Sequence, residues 1–259
     1  MTQEERIDFL IRYLLNESEE YGEITVPADQ ADRRRLLRAL MNVRPPRPVS
    51  GEFLRVQNGY LQELLAERGV THIKDLTPVE PGLYLRKGDI TTLAADAVVN
   101  AANSRLLGCF APCHGCIDNA IHTYAGVQLR LACARIMAAQ KTEEPAGRAK
   151  ITRAYNLPCR HVLHTVGPVV YGSVTQQNRA ELAGCYRSCL ELAAANRLKS
   201  VAFCCISTGE FRFPNQAAAE IAVQTVRAWQ REHSGAVQVI FNVFKETDYD
   251  IYRKILGAH

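Results

Sequence analysis

The chain has 259 residues, 47% of them hydrophobic and 22% charged, with a formal net charge of +4. That balance suits a soluble globular protein. No apolar run reaches the length of a membrane span, and no Lys/Arg run interleaved with aromatics marks a nucleic-acid surface, so neither membrane nor nucleic acid is an expected partner.

The nine cysteines are an odd count, which argues against a full disulfide framework. The acidic, mixed start Met-Thr-Gln-Glu-Glu-Arg does not suit a signal peptide, so a reducing, cytoplasmic location is expected.

Residues 1–43 read as helical, with Ile7, Leu10, Ile11, Leu14 and Leu15 on one face and Leu36, Leu37, Leu40 and Met41 recurring later. Arg33-Arg34-Arg35 reads as a solvated helix face. Arg-Pro-Pro-Arg-Pro at 44–48 cannot continue a helix. A helical period resumes over 51–68, and Gly69 suits its stop.

From about residue 71 short β-rich runs alternate with helical patterns. Leu83–Leu85, Ala97–Val99, Lys150–Thr152, His161–His164, Val201–Ile206 and Val237–Phe244 read as strands. Helices are predicted over 116–125, 127–140, 176–196, 215–233 and 246–256. This alternation predicts an α/β domain with a largely parallel, mixed sheet and ligands at the carboxyl ends of its strands. Cys133, Cys185, Cys189, Cys204 and Cys205 lie in apolar patterns and read as small buried hydrophobes.

The strand ends carry the residues with chemistry. In Gly88-Asp89-Ile90-Thr91 the carboxylate suits an exocyclic amine such as that of adenine, although Asp beside Gly is also ordinary turn chemistry. In Val98-Val99-Asn100-Ala101-Ala102-Asn103 an apolar strand runs into two amides, which suit sugar hydroxyls or serve as caps. Cys109, His114 and Cys116 place two thiols and an imidazole within eight residues, the ligand types zinc favours, with a fourth position open as in catalytic sites. Cys113 offers two other readings: a fourth ligand that closes the site, or a redox pair with Cys116. Asp118 follows at a helix start, where a carboxylate also complements the dipole, and His122 shares its face. Finally, Ser207-Thr208-Gly209 opens a small-residue loop whose backbone N–H groups can cradle phosphate.

Together these residues resemble the macrodomain family. Gly-Asp-Ile-Thr, Val-Val-Asn-Ala-Ala-Asn-Ser, Ile-Asp-Asn-Ala-Ile-His, His-Thr-Val-Gly-Pro and Ile-Ser-Thr-Gly-x-Phe-x-Phe-Pro occur in the family's order and spacing over about residues 80–245. The Cys-x4-His-x-Cys loop looks like that of the zinc-containing branch of microbial macrodomains, in which a helical N-terminal extension also recurs.

The resemblance implies an α/β macrodomain-type three-layer α/β/α sandwich with a mixed sheet over 71–259, preceded by an all-helical extension over 1–70. It also implies an ADP-ribose site. Asp89 would hold the adenine amino group with backbone contact from Ile90, and Asn100 and Asn103 would face the distal ribose. Cys109, His114 and Cys116 would bind zinc beside that ribose, with Asp118 near the scissile centre. Ser207, Thr208, Gly209, Glu210 and Phe211 would wrap the diphosphate and ribose.

The implied activity is zinc-dependent removal of mono-ADP-ribose from modified protein side chains, acidic ones by expectation, with Asp118 and Asn103 as catalytic residues. A non-catalytic ADP-ribose reader is the alternative. The implied partners are ADP-ribosylated proteins, and in several microbes a lipoyl-carrier protein with a sirtuin-type ADP-ribosyltransferase. Two positions depart from the family pattern. Arg212 stands where glycine is usual, and a non-glycine residue resists positive φ, which leaves the local loop path open; its guanidinium would either touch phosphate or face solvent. Cys113 adds a third thiol to the metal loop.

Overall fold

Capping residues account for the three helices at the start of the chain. Thr2 and Glu5 form a capping box ahead of α1 (Gln3–Leu15), Asp29 caps α2 (Gln30–Val43), and Ser50 caps α3 (Gly51–Arg68). The computed structural model describes residues 1–257 and shows that 1–43 is not continuously helical. Asn16 closes α1, and the stretch to Asp29, containing Gly22 and Pro27, holds only a single short turn at Glu19–Tyr21. The helices bury their apolar faces against one another, with Leu10, Ile11, Leu37 and Phe53 fully enclosed in a core separate from that of the sheet. The Arg33–Arg35 cluster is not simply a solvated face: Arg33 pairs with Asp8, and Arg34 lies 3.5 Å from Glu67.

The main body is built on a seven-stranded sheet. Its strands are β2 (Pro78–Glu80), β3 (Leu83–Lys87), β5 (Ala97–Ala102), β6 (Ala149–Arg153), β7 (His161–Val166), β8 (Ser200–Phe203) and β9 (Gln238–Val243). The spatial order is β2-β3-β9-β8-β5-β7-β6. The five inner strands run parallel, and β2 and β6 close the edges antiparallel. Two very short strands, β1 (Thr71–His72) and β4 (Leu93–Ala94), pair separately.

Side-chain alternation assigns the two faces. On β7, His164 points toward Cys133, so α4 (Ile117–Ala125) and α5 (Val127–Gln140) cover that face. The Cys185 thiol reaches the Val166 carbonyl from the other side, where α6 (Gln176–Ala195) lies, followed by α7 (Asn215–Glu232) and α8 (Glu246–Leu256). The result is the three-layer α/β/α sandwich with a mixed sheet. Parallel strands covered on both faces need near-continuous apolar sequence, which Val98-Val99 and Val162-Leu163 supply. Cys133, Cys185, Cys189 and Cys204 are buried as expected, and Cys205 is partly so. Among the described residues, no helix is long and apolar enough to cross a membrane.

Candidate active site

All five parallel strands end on one rim of the sheet, and the loops that leave them build the site. Strand β5 runs on through Ala102, so Asn100 lies inside the strand rather than after it. From there the chain turns outward. Gly108 has φ +79°, and a Cβ on it would stand 2.8 Å from the His122 ring, so the loop passes directly over α4.

Cys109, His114 and Cys116 then converge, with one ligand atom from each all within 4.8 Å of one another. Cys116 is also the cap of α4, its sulfur accepting the Asn119 N–H at 3.4 Å. Burial pushes the Cys116 thiol up to about 12, and the adjacent Cys109 adds to that rise. Cys113 is turned away from this group. Its φ is +54°, its N–H donates to Asn42 Oδ1 at 2.9 Å, and its thiol approaches the Arg35 carbonyl at 3.4 Å. Cys113 therefore faces α2, and the side chains that cluster are the other three.

Asp118 sits just below, its side chain 7% exposed. Its Oδ1 accepts from Asn100 Nδ2 at 2.8 Å and its Oδ2 from Asn103 Nδ2 at 3.2 Å. Asn103 Nδ2 also donates to the Gly108 carbonyl at 3.0 Å, which ties Asp118 to the start of the Cys109–Cys116 loop. Burial pushes the Asp118 carboxyl up to about 6, opposed by the Asn100 and Asn103 hydrogen bonds and the Arg130 charge.

Beneath Asp118 lies a buried polar floor. Asn100, with no exposed surface, lies 3.2 Å from His164 Nδ1, and His164 Nε2 lies 2.9 Å from Thr152 Oγ1. His122 Nε2 is 3.6 Å from Asp118 Oδ1. Burial pushes His164 down to about 3 and His122 well below its ordinary value, so both imidazoles are neutral near pH 7. Asn100 therefore supports Asp118 from behind instead of lining the open surface, and His122 belongs to a cluster.

At the β3 end, the Asp89 carboxylate accepts the Thr91 N–H at 2.8 Å and the Thr91 hydroxyl at 2.6 Å. It also pairs with Arg68, the last residue of α3, whose guanidinium lies 3.9 Å over the Tyr124 ring. Ile90 beside it is buried.

After β8 the chain leaves the sheet at Phe203 and curls through Ser207, Thr208, Gly209, Glu210 and Phe211, which brings all five predicted residues onto one turn. The Phe213 N–H closes the turn on the Ser207 carbonyl at 2.9 Å, and Val170 N–H donates to the Phe211 carbonyl at 2.9 Å. Gly167, at the end of β7, is required here, because a Cβ would overlap Ser207 Oγ at 2.0 Å. Arg212 adopts φ +58° despite its side chain, at a strain of about 1–2 kcal/mol. Glu210 Oε1 lies 3.7 Å from His114 Nε2, which joins this loop to the Cys109–Cys116 loop.

Sequence reasoning missed four residues. Arg38 donates to the His114 carbonyl and to Asn119 Oδ1, Asn42 holds Cys113, Arg68 holds Asp89, and Arg130 donates to the Leu107 carbonyl at 2.7 Å. The available signals were an Asn beside the buried face of α2 and an Arg enclosed by Leu129 and Leu131.

Residues 99–222 match the Macro domain family model. A protein-ADP-ribose hydrolase of Treponema medium is 55% identical, over 99% of this chain and all of its own length. The chain belongs to the macrodomain family. Within that family it groups with the protein-ADP-ribose hydrolases: one from Staphylococcus aureus is 48% identical, over 96% of this chain and 94% of its own. Among solved structures, a Trypanosoma brucei macrodomain in complex with ADP-ribose superposes with a TM-score of 0.66 at 35% identity, covering 82% of this chain and 92% of the other.

Proposed function

We propose that this macrodomain hydrolyses the bond between the distal ribose of mono-ADP-ribose and an acidic side chain of a modified protein, with zinc held by Cys109, His114 and Cys116. The observation that carries the reading is the meeting of three features at one end of the sheet. These are the Cys/His ligand group, the Asp118 carboxylate bound by Asn103, and the Ser207–Phe213 loop reached through Glu210. The curated relatives, named protein-ADP-ribose hydrolases, support the same reading.

The donor set fits zinc: two thiols and an imidazole lie together, and His114 Nδ1 is buried without a hydrogen-bond partner. When bound, the ion supplies a Lewis acid for a ribose hydroxyl or an acidified water. The chain's own residues do the rest. Asp89 and Ile90 take the adenine, the Ser207–Phe211 backbone takes the diphosphate, and Asn103 orients the distal ribose over Asp118. Holding the substrate at both ends lowers the entropic part of the barrier. Water adds to the anomeric carbon, the C–O bond to the side-chain carboxylate breaks, and that carboxylate leaves with the bonding pair. Asp118 Oδ2 accepts the water's proton. In this reading residues 1–70 are an extension and 71–259 the catalytic domain, working in the cytoplasm. A lipoyl-carrier protein modified by a sirtuin-type transferase is one substrate to try.

The test is incubation of the purified protein with a carrier bearing ADP-ribose on glutamate or aspartate. Stoichiometric appearance of free ADP-ribose is expected, with turnover lost in Cys116→Ala while the fold survives. Retention of the label on the carrier with tight binding would make the protein a reader instead.

A further inference from the structure

The metal loop is gripped from outside the sheet domain. Asn42, in the last turn of α2 and 1% exposed, accepts the Cys113 N–H at 2.9 Å and donates to Thr123 Oγ1 of α4 at 2.8 Å. One turn earlier, Arg38 Nη2 donates to the His114 carbonyl at 3.1 Å and to Asn119 Oδ1 at 2.9 Å. On the far side, Arg130 of α5 donates to the Leu107 carbonyl, spans to the Met41 and Asn42 carbonyls at the end of α2, and lies 4.2 Å over the Phe110 ring. The segment between Leu107 and Asn119 is thus held at its two ends and at its apex.

Such bonds add to the few the segment makes for itself, chiefly from Asn119 Nδ2 to the Ala111 carbonyl at 3.0 Å. Only one backbone hydrogen bond is made within it, from the His114 N–H to the Ala111 carbonyl at 3.3 Å, and Cys113 sits in left-handed backbone that a β-carbon disfavours. External donors and acceptors that fix ligand orientation are worth a large part of a metal site's affinity.

We propose that Arg38 and Asn42 of the helical extension are positioning residues of the metal site, setting the spacing of Cys109, His114 and Cys116. This rests on the zinc reading above. It makes α2 a working wall of the site and explains why a buried asparagine and a half-buried arginine occupy a helix whose neighbouring positions are apolar.

The experiment compares the zinc-loaded parent with Arg38→Ala and Asn42→Ala, using a chromogenic chelator to measure zinc affinity and release. Leu14→Ala is the control, a cavity in the extension's own core that is far from the loop in sequence. Expected is a fall in zinc affinity of about 10–100-fold in the two α2 variants and parent-like affinity in Leu14→Ala. Hydrogen–deuterium exchange of the peptide spanning 109–116 is read on the same samples and on metal-free ones. Faster exchange there in Asn42→Ala, with or without zinc, supports the brace. Parent-like affinity and exchange in both α2 variants overturns it, as does an equal loss in Leu14→Ala. A parent that binds no zinc but shows the exchange difference retains the brace and removes the zinc reading instead.

Discussion

Replacing Asp118 by Asn removes one charge and one proton acceptor while keeping the shape of the side chain. The carboxylate accepts from Asn100 Nδ2 and Asn103 Nδ2. An amide can accept from only one of them, so its NH2 faces a second NH2. The structure offers relief, because Asn100 Oδ1 is buried without a partner. Flipping Asn100 presents that oxygen to the new amide. His164 then donates to it from Nδ1 while Thr152 donates to Nε2. The stability cost should therefore lie at the lower end of the ~1–3 kcal/mol for an unmatched buried polar pair. Activity should suffer far more. Losing a positioned proton acceptor costs about 10²–10⁴ in rate, or roughly 3–5 kcal/mol in the barrier at 1.36 kcal/mol per decade. The assay is single-turnover release of ADP-ribose from the modified carrier, with zinc content and thermal unfolding measured on the same sample. A folded, zinc-replete Asp118→Asn protein with parent-like kcat/KM would refute the role given to this carboxylate.

Asp89→Ala should weaken ADP-ribose binding about 10–100-fold, the ~1.5–3 kcal/mol of a charged hydrogen bond, and leave kcat of saturated enzyme nearly unchanged. Titration calorimetry reads the first effect and steady-state kinetics the second, and Arg68→Ala should shift both the same way by less. Cys113→Ser should keep the parent's zinc content while Cys109→Ser loses it, by elemental analysis after dialysis; equal loss would return Cys113 to the ligand set. For the buried His164, the folded pKa of about 3 lies below the unfolded value near 6.5. Above 6.5 both states are neutral and nothing is gained. Between 6.5 and 3 only the unfolded state protonates this imidazole, so its contribution to stability falls by about 1.4 kcal/mol per pH unit as pH drops; His122 adds in the same direction, and Asp118, raised to about 6, opposes them below pH 6. Urea melts from pH 8 to 5 should show this slope, reduced in His164→Gln. Arg212→Gly should raise the melting temperature slightly, since relief of ~1–2 kcal/mol of left-handed strain exceeds the ~0.5–1 kcal/mol entropic cost of glycine; a clear loss would mean the Arg212 side chain contributes contacts of its own.

The parallel strands were legible because a strand covered on both faces must be apolar throughout, as Val98-Val99 and Val201-Ala202-Phe203 are. Their ends were not. Cys204, Cys205 and Ile206 continue the apolar run past Phe203, yet the backbone has already left the sheet to form the Ser207 turn. Hydropathy records burial, and these residues stay largely buried outside the ladder. The strands β1, β2 and β4 are two or three residues long and carry no period at all. The Cys109, His114 and Cys116 group was readable because all three fall within eight residues. Arg38, Asn42 and Arg68 were not, since each meets its partner across 21 to 81 residues of chain.

Those long-range bonds share a pattern that bears on how the site is kept in shape. Beside the apolar contact of Val127 with its core, the extension meets the main body through polar groups: Gln57 on Gln128 at 2.8 Å, Asn58 on Asn156 at 2.9 Å, Asn42 on Thr123, and Arg68 on Asp89. Apolar contact is non-directional and would let one surface slide on the other. A buried polar pair tolerates little displacement, because a misplaced partner leaves its mate desolvated and unsatisfied. Such an interface stabilises modestly and specifies strongly. Helices α2 and α3 are joined through α1, against which both pack in one core that includes Leu10, Ile11, Leu37 and Phe53. They therefore hold the Asp89 end and the Cys113 apex of the candidate cleft as one rigid unit, so the separation of the two ends is set by the extension as much as by the sheet.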